Sequence, residues 1–413
     1  MSRTLSGLRD VDLAEVWAGP FGCTLLGDLG ADVVKVETYP RPSITRPLTE
    51  DSRVAPGPGP AYERVNSHIH GNRNKRNIAV DVRRPEGAEV LRRLIAGADL
   101  LVEGFTGGTI ERLGFGWEAV RALNPQITMI SIAGWGQGGP YQGYLMFGNG
   151  FDAAAGHHAI RGYPGSRPDE IVGALHSDAS VPLAIVFATG AALLRREQTG
   201  AGCFIDLSQV EELQWQLPAV LAEWTLNHRV PVRVGNTDPR IVPHDCYPAS
   251  GGWVNVVCQD DAQWASLAGA LGHPEWAGDA HPWATVPGRL SARAAIDEAI
   301  ASYTRERPPA LAAEELQAAG VIAAPVLAPN EPPGAPQLHE RGWFQVVDQP
   351  YLGERMMTGV LWQQQPDPIA WLRRCALLGE HNHEVLSELG YSAAEVADLE
   401  ARDVIGNRYP DPD

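Results

Sequence analysis

The order of apolar and polar positions along the chain predicts alternating strands and helices. Short runs rich in branched apolar residues, separated by amphipathic stretches and glycine-rich turns, are typical of a doubly wound parallel sheet. The predicted strands of this part are 8–16, 32–37, 77–82, 99–103, 127–132 and 203–207. The predicted helices are 21–29, 85–96, 117–123, about 181–196 and 210–227. The pattern therefore predicts an α/β fold.

Composition changes after residue 228. The segment 230–252 is rich in turn-forming residues, and the pattern then predicts strands at 253–258 and 321–326 with helices at 263–271, 292–304 and 310–319 between them. A proline-rich linker follows at 328–336. We therefore predict a large domain over 1–228, a smaller α+β domain over 229–330, and a segment 331–413 that returns to the large domain.

The longest apolar run, 181–194, follows an aspartate and ends in a basic pair. It is shorter than the roughly 20 residues of a membrane span and is interpreted as a buried helix. Ser177, Asp178 or Ser180 is expected to cap its N-terminus. Because a helix N-terminus stabilises negative charge, Asp178 is expected to be ionised at neutral pH and suited to nucleophilic attack, with a purely capping role as the alternative.

Charge and cysteine usage narrow the class of protein. The chain has 413 residues, 44% of them hydrophobic, and a formal net charge of −17, which argues against nucleic acid or a membrane as partner. Its five cysteines are scattered without metal-ligand spacing, so we expect reduced thiols, a cytoplasmic location, and neither a metal nor a tightly bound cofactor.

Three local motifs allow more than one interpretation. The turn A-G-P-F-G after the first strand lacks the full glycine spacing of a dinucleotide site, so nicotinamide binding is weakly indicated. The basic cluster Arg73, Lys75 and Arg76 is either an anion site or a solvated turn. His157 and His158 are either metal ligands together with Asp178 or polar loop residues.

Ten short segments in order resemble the class III CoA-transferases, the family that includes formyl-CoA transferase and carnitine CoA-transferase. They include A-G-P with L-G-A-D-V-V-K-V-E, N-R-N-K-R-N-I-A-V-D-V, E-R-L-G-F-G-W-E, G-F-D, H-S-D-A-S, G-N-T-D-P and L-L-G-E-H. The resemblance implies a Rossmann-like large domain built from both chain ends, a smaller middle domain, and an interlocked homodimer.

The resemblance also implies a covalent mechanism. Asp178 matches the family's catalytic aspartate, which attacks an acyl-CoA thioester and carries CoA to a carboxylic acid, so that CoA is a co-substrate. Positions implied for CoA are Val16, Trp17, Ala18, Lys75, Arg76, Gly104, Phe105 and Arg112. Positions implied for the substrate and oxyanion loops are Gly150, Phe151, Gly235, Asn236, Gly251 and Gly252.

Several positions depart from formyl-CoA transferase. Trp17 replaces a glutamine, Thr38 and Ala133 replace basic residues, and Gly104 stands where the family often has asparagine. A bulky indole at position 17 makes formate and oxalate poor substrate candidates. The many tryptophans suggest either an apolar acid substrate or ordinary core packing, and the donor and acceptor acids stay open.

Two other functions compete. The related α-methylacyl-CoA racemases need a histidine in G-H-D opposite the aspartate, whereas this chain has Phe151 there, and phenyl transfers no proton. A CoA-binding protein without turnover is the alternative from another class. It predicts that substitution of Asp178 changes nothing measurable.

Overall fold

The structure is a computed structural model that describes residues 3–366 and 368–410. The chain forms two compact units. The first comprises the described residues of 1–156, 173–221 and 340–413, and the second comprises 157–172 and 222–339.

Eleven strands occur in the described residues, six of them in one parallel sheet. They are β1 (Arg9–Asp12), β2 (Asp32–Thr38), β3 (Lys75–Val80), β4 (Leu100–Glu103), β5 (Thr128–Ser131), β6 (Phe204–Asp206), β7 (His244–Ala249), β8 (Gly252–Val257), β9 (Ile322–Val326), β10 (Phe344–Gln349) and β11 (Gly353–Thr358). The large sheet has the order β3-β2-β1-β4-β5-β6, and every neighbouring pair is parallel. This is the strand order of Rossmann-like folds, so the predicted α/β class with a parallel sheet is confirmed.

The helices follow the strands in alternation through the first part of the chain. They are α1 (Ala18–Asp28), α2 (Asn66–Gly71), α3 (Pro85–Ala96), α4 (Thr109–Arg112), α5 (Trp117–Leu123), α6 (Gly148–Ala154), α7 (His157–Ile160), α8 (His176–Thr199), α9 (Gln209–Trp215), α10 (Pro218–Asn227), α11 (Asp261–Ala270), α12 (Val286–Ser291), α13 (Arg293–Arg305), α14 (Pro309–Ala318), α15 (Pro336–Glu340), α16 (Asn382–Glu388) and α17 (Ala393–Ala401).

The core of the first unit lies on both faces of the parallel sheet. One face is covered by α3 and α5 together with the C-terminal helices α16 and α17, whose Val385, Leu386, Val396 and Leu399 pack with Ile78 and Val80 of β3. The other face is covered by α1 and α8, with Cys23, Leu26, Val181 and Ile185 packed against β1, β4 and β5. Strands β1 to β5 are therefore buried on both faces, as is typical of a parallel sheet, whereas the edge strand β6 is partly exposed.

The second unit has its own core. Its sheet is antiparallel in the order β7-β8-β9, and helices α11, α13 and α14 cover it around the fully buried Trp264. The short turn between β7 and β8 contains Gly251, whose φ of +83° favours glycine.

Helix α8 begins differently from the sequence expectation. It starts at His176 after Leu175, and none of Ser177, Asp178 and Ser180 is its cap. Its buried residues occupy one face only, whereas Leu183, Phe187 and Leu194 are exposed, so the interpretation as a buried helix holds for one side. Among the described helices, α8 alone is long and apolar enough by composition to cross a membrane.

Proline explains a second difference. The single helix predicted over 210–227 is two helices, α9 and α10, because Pro218 has no N–H to donate and begins a new helix. The strand β7 within the turn-rich segment was not predicted, since its sequence His244–Ala249 contains a proline and little alternation.

Candidate active site

A cavity of about 560 Å³ opens where the strand order of the large sheet reverses, between β1 and β4. Ligands in open α/β sheets bind at this switch point, beyond the carboxyl ends of the strands. The cavity is lined by Glu15, Val16, Trp17, Ala18, Gly19, Gly104, Phe105, Thr106, Ile132, Gly134, Gln142, Tyr144, Leu145, Met146, Phe147, Gly148, Phe151, Leu175, Asp178 and Gln209. All of these residues belong to the first unit.

The carboxylate of Asp178 lies in this cavity, in the first turn of α8. Its pKa is raised to about 6, chiefly by burial and to a lesser extent by the charge of Asp152, against the opposing effect of a hydrogen bond from the Ala18 backbone N–H. Burial therefore outweighs the stabilisation that a helix N-terminus gives a carboxylate, and the pKa lies above its ordinary value rather than below it. At pH 7 roughly nine tenths of such a group is still ionised.

Asp152 of α6 holds the start of α8. Its carboxylate is fully buried and accepts hydrogen bonds from the backbone N–H groups of Ala174, Leu175 and His176, at 3.2, 3.1 and 3.2 Å. A carboxylate on a run of successive N–H groups satisfies the donors that a helix start leaves unpaired. The cap therefore comes from another helix, which frees Asp178 to face the cavity.

Two non-glycine residues of the lining have left-handed backbone conformations. Val16 has a φ of 70° and Leu175 a φ of 52°. For a branched residue such as valine this conformation is a genuine outlier, and residues of this kind cluster at functional sites. The left-handed turn at Val16 places the N-terminus of α1 beside the cavity, and the turn at Leu175 does the same for α8.

A buried hydrogen-bond network fixes the loop after β4. The Glu103 carboxylate accepts the Phe105 N–H at 2.8 Å, and the Gln137 side chain donates to Glu103 at 3.3 Å and to Ser131 at 2.7 Å. Burial raises the pKa of Glu103. Gly104 and Phe105 are thereby held at the cavity wall.

The basic cluster lies in the interior of the fold. The Lys75 ammonium is buried and donates to Asp12 at 2.8 Å, to the Pro20 and Gly71 carbonyls, and to Asn72. The Arg76 guanidinium pairs with Asp32, Glu384 and Glu388. Neither residue lines the cavity, because neighbouring parallel strands place carboxylates against both. Arg73 is likewise paired with Asp28, so the cluster is neither a solvated turn nor an open anion site.

The other positions expected to contact CoA lie at or near the cavity. Val16, Trp17, Ala18, Gly104 and Phe105 line it. Arg112 of α4 is exposed, donates to Thr109 at 2.7 Å, and lies against Gly108 next to the lining loop.

The positions expected to contact the acyl group or its oxyanion separate into two sets. Phe151 lines the cavity and Gly150 precedes it in α6. Gly235, Asn236, Gly251 and Gly252 belong to the second unit. There the Gly235 N–H is donated to the Gly162 carbonyl at 3.0 Å, and the Asn236 amide is donated to Tyr163 at 2.9 Å.

His157 and His158 lie in α7 of the second unit. Within the described residues no group of three or more His, Cys, Asp and Glu side chains is placed to hold a metal ion.

The sequence reasoning missed the loop before α6 and Gln209. Tyr144, Leu145, Met146 and Phe147 line the cavity, and the run of four large apolar residues in a glycine-rich loop was a usable signal. Gln209 donates to the Ile132 carbonyl at 3.1 Å, while its buried Oε1 has no donor in the described part of the chain. Nothing in the sequence around Gln209 singles it out.

The chain belongs to CoA-transferase family III, whose sequence profile matches residues 5–382. The resemblance inferred from the sequence motifs is thereby confirmed, and the chain is an enzyme of the CoA-transferase class. It is 32% identical to succinyl-CoA–D-citramalate CoA-transferase of Chloroflexus aurantiacus, over 98% of each chain. It is also 32% identical to succinate–glutarate CoA-transferase of Agrobacterium fabrum, over 93% of this chain and 95% of that relative.

Formyl-CoA:oxalate CoA-transferase of Rhodopseudomonas palustris is 29% identical over 97% of this chain and 96% of its own. Among solved structures, a CAIB/BAIF family protein from Brucella suis superposes with a TM-score of 0.83 at 29% identity, covering 94% of this chain and 100% of that one. The similarity therefore extends over both units and includes the fold.

Proposed function

We propose that this protein transfers CoA from an acyl-CoA thioester to a carboxylic acid through covalent intermediates on Asp178. The observation that carries the proposal is the Asp178 carboxylate in the switch-point cavity, beside the N-terminus of α1. With its pKa raised to about 6 it is ionised at neutral pH yet more basic than an ordinary aspartate. These are the properties of a carboxylate nucleophile.

The reaction divides into four displacements. An Asp178 oxygen attacks the thioester carbon, the C–S bond breaks, and a mixed anhydride and CoA thiolate form. The thiolate then attacks the Asp178 carbonyl carbon, which releases the donor acid and leaves an aspartyl-CoA thioester. The acceptor carboxylate attacks that thioester, giving a second anhydride and thiolate. The thiolate finally attacks the acceptor's acyl carbon, forming the new acyl-CoA and restoring Asp178.

In this proposal the loops of the cavity wall hold CoA, and single polar groups orient the reacting atoms. The loops that carry Val16 to Ala18 and Gly104 to Phe105, positions that the resemblance implies for CoA, would hold its pantetheine end. The Ala18 N–H orients the nucleophile, and the unpartnered Gln209 Oε1 can accept a hydrogen bond from an amide of the bound thioester. The proposal gives Lys75 and Arg76 no contact with phosphate, because their donors are bonded within the fold.

Three further parts of the proposal concern assembly, oxyanion binding and location. A homodimer is supported by the exposed apolar side chains of α8 and α9, among them Phe187 and Trp215. Gly251 and Gly252 retain the oxyanion role that the resemblance implies, as a hypothesis. A cytoplasmic location agrees with the free thiols of all five cysteines.

The test is transfer combined with trapping. The protein is incubated with acetyl-CoA or succinyl-CoA and a panel of carboxylic acids, and new thioesters are detected by mass spectrometry. Hydroxylamine added during turnover should convert Asp178 to its hydroxamate, detectable by peptide mapping. Asp178→Asn should abolish transfer while CoA still binds, whereas Asp348→Asn, a matched change at an exposed strand position, should leave both transfer and CoA binding intact.

The outcome that contradicts the proposal is transfer that survives Asp178→Asn, or turnover that never marks residue 178. Exchange of the α-hydrogen of a 2-methylacyl-CoA in deuterated water, without any acceptor acid, would instead indicate a racemase.

A further inference from the structure

We propose that the acid activated by this protein is a monocarboxylic acid with an apolar body, aromatic or branched aliphatic, and that residues 144–147 hold that body. This inference rests on the proposed function, since it names the substrate class of the same site. It is drawn from the position, chemistry and anchoring of one loop.

The position follows from Gly148. This glycine begins α6 directly after the loop. A Cβ added to it would clash with the Asp178 carboxylate and would lie 2.8 Å from the Leu175 side chain. The loop therefore passes immediately beside the reacting oxygen. An acyl group bonded to Asp178 must extend along either this loop or the CoA side of the cavity. The CoA thiolate occupies the CoA side, so the acyl group extends along the loop.

The chemistry of the loop is apolar. Tyr144, Leu145, Met146 and Phe147 all line the cavity, and Phe151 lies beneath them. An alkyl or aryl group packed on these side chains leaves water, at about 25 cal/mol per Å² of apolar surface.

Charge in the cavity disfavours a second carboxylate. The charged side chains of the described lining are those of Glu15 and Asp178, and both are acidic. Recognition of a carboxylate normally uses arginine or lysine, and here the nearby Lys75 and Arg76 are consumed by internal pairs. The exposed Arg112 does not line the cavity and lies next to the Gly104–Thr106 loop, on the side assigned to CoA. A dicarboxylate would therefore place its distal charge among carboxylates and apolar groups. Two of the relatives are named for the dicarboxylic acids D-citramalate and glutarate. The substrate class proposed for this chain differs from theirs.

The loop is anchored rather than loose. The Tyr144 ring packs against Tyr141 at 4.8 Å between centroids, and Tyr141 packs against Trp135 at 5.1 Å. Met146 packs on the cluster of Phe151, Val210 and Leu213. Leu145 and Phe147, 80% and 64% exposed, flank the packed Met146 and present apolar surface that a bound acyl group would cover.

The experiment is a competition between acids. The full-length protein with acetyl-CoA as donor receives equimolar phenylacetate, isovalerate, succinate and glutarate, and the four thioesters are quantified over time. We expect the two monocarboxylates to be favoured by at least about tenfold in kcat/KM, the discrimination that one or two apolar contacts supply. Equal or greater formation of succinyl-CoA or glutaryl-CoA would overturn the inference.

A charge substitution gives a second measurement. Leu145→Arg should lower kcat/KM for phenylacetate and raise it for glutarate, shifting their ratio by about tenfold or more. Met356→Arg on β11 is the matched control, since it also places a cation at an exposed apolar position, and it should leave the ratio unchanged. A ratio that both variants shift equally, or that neither shifts, contradicts the assignment of the loop.

Failure of the inference is distinguishable from failure of the proposed function. If hydroxylamine marks Asp178 and only dicarboxylates are converted, the transferase proposal stands and the substrate class is wrong. If no acid is converted and Asp178 is never marked, the proposed function itself fails.

Discussion

Asp178 combines two demands that oppose each other. It must be ionised to attack a thioester, yet its burial in a largely apolar cavity raises the free energy of its charge. The Ala18 N–H offsets part of that cost. A pKa of about 6 is the resulting balance, and it has a measurable consequence.

The rate of the first displacement should follow the ionisation of Asp178. Because only the carboxylate attacks, kcat/KM should rise with pH, reach half its maximum near pH 6, and level off above pH 7. At pH 5 roughly one tenth of the group is ionised, so the rate should fall to about a tenth. Initial rates measured between pH 4.5 and 8.5 provide the check. A profile with its midpoint near the ordinary aspartate pKa of about 4 would contradict the buried environment.

Gly148 permits the close approach of the loop to Asp178. Gly148→Ala should reduce kcat at least about tenfold, because the new methyl group displaces the carboxylate or Leu175. Circular dichroism and the melting temperature should change little. Gly138→Ala is the matched control, since its Cβ would meet no atom within 4 Å, and it should retain full activity.

At the scale of elements, the start of α8 depends on a carboxylate from α6. The sequence G-F-D and the sequence H-S-D-A-S are more than 20 residues apart, and Asp152 joins them through three backbone hydrogen bonds. A change at Asp152 should therefore act on α8 and on Asp178 at once.

Asp152→Asn should lower the free energy of unfolding by about 1 to 3 kcal/mol, because a neutral amide accepts these hydrogen bonds more weakly. It should also move the midpoint of the pH profile below that of the native protein, since the charge of Asp152 raises the pKa of Asp178. A purely structural role would leave that midpoint in place. Urea unfolding and the pH profile of the variant measure the two effects separately.

Element boundaries show where sequence reasoning succeeds. The helix over 85–96 was predicted to the residue, and the helix predicted around 117–123 has those bounds, because proline or glycine marks their starts and the apolar period is clear. The start of α8 was not predicted correctly, since its capping group is distant in sequence. The basic cluster was misinterpreted for the same reason, because only the strand register brings Asp12 and Asp32 beside Lys75 and Arg76.

Part of the candidate site could be predicted from the sequence. Asp178, Trp17 and Phe105 were identified through the family motifs and do line the cavity. The loop 144–147 was not identified, although its run of four apolar residues was a signal, because such residues are as typical of a core as of a ligand wall.

At the scale of the whole molecule, the exposed side of α8 supports the proposed homodimer. Phe187 is 79% exposed and Leu194 is 63% exposed, on a helix whose opposite side packs in the core of the first unit. A monomeric protein rarely exposes such large apolar groups together.

Phe187→Asp should therefore weaken the proposed dimer at least about tenfold, because it places a charge among the exposed apolar side chains of α8 that the proposed interface would bury. Sedimentation equilibrium gives the dissociation constant. Val346→Asp, at an exposed position on β10, is the control and should leave it unchanged. A native protein that sediments as a monomer at micromolar concentration would contradict the dimer.

The left-handed backbone at Val16 and Leu175 has a consequence for stability. Glycine at either position would relieve about 1 to 2 kcal/mol of torsional cost, so a screen for heat resistance should recover it. The same exchange would remove a side chain that bounds the cavity. A glycine selected for thermostability at either residue would then lower the discrimination among acids.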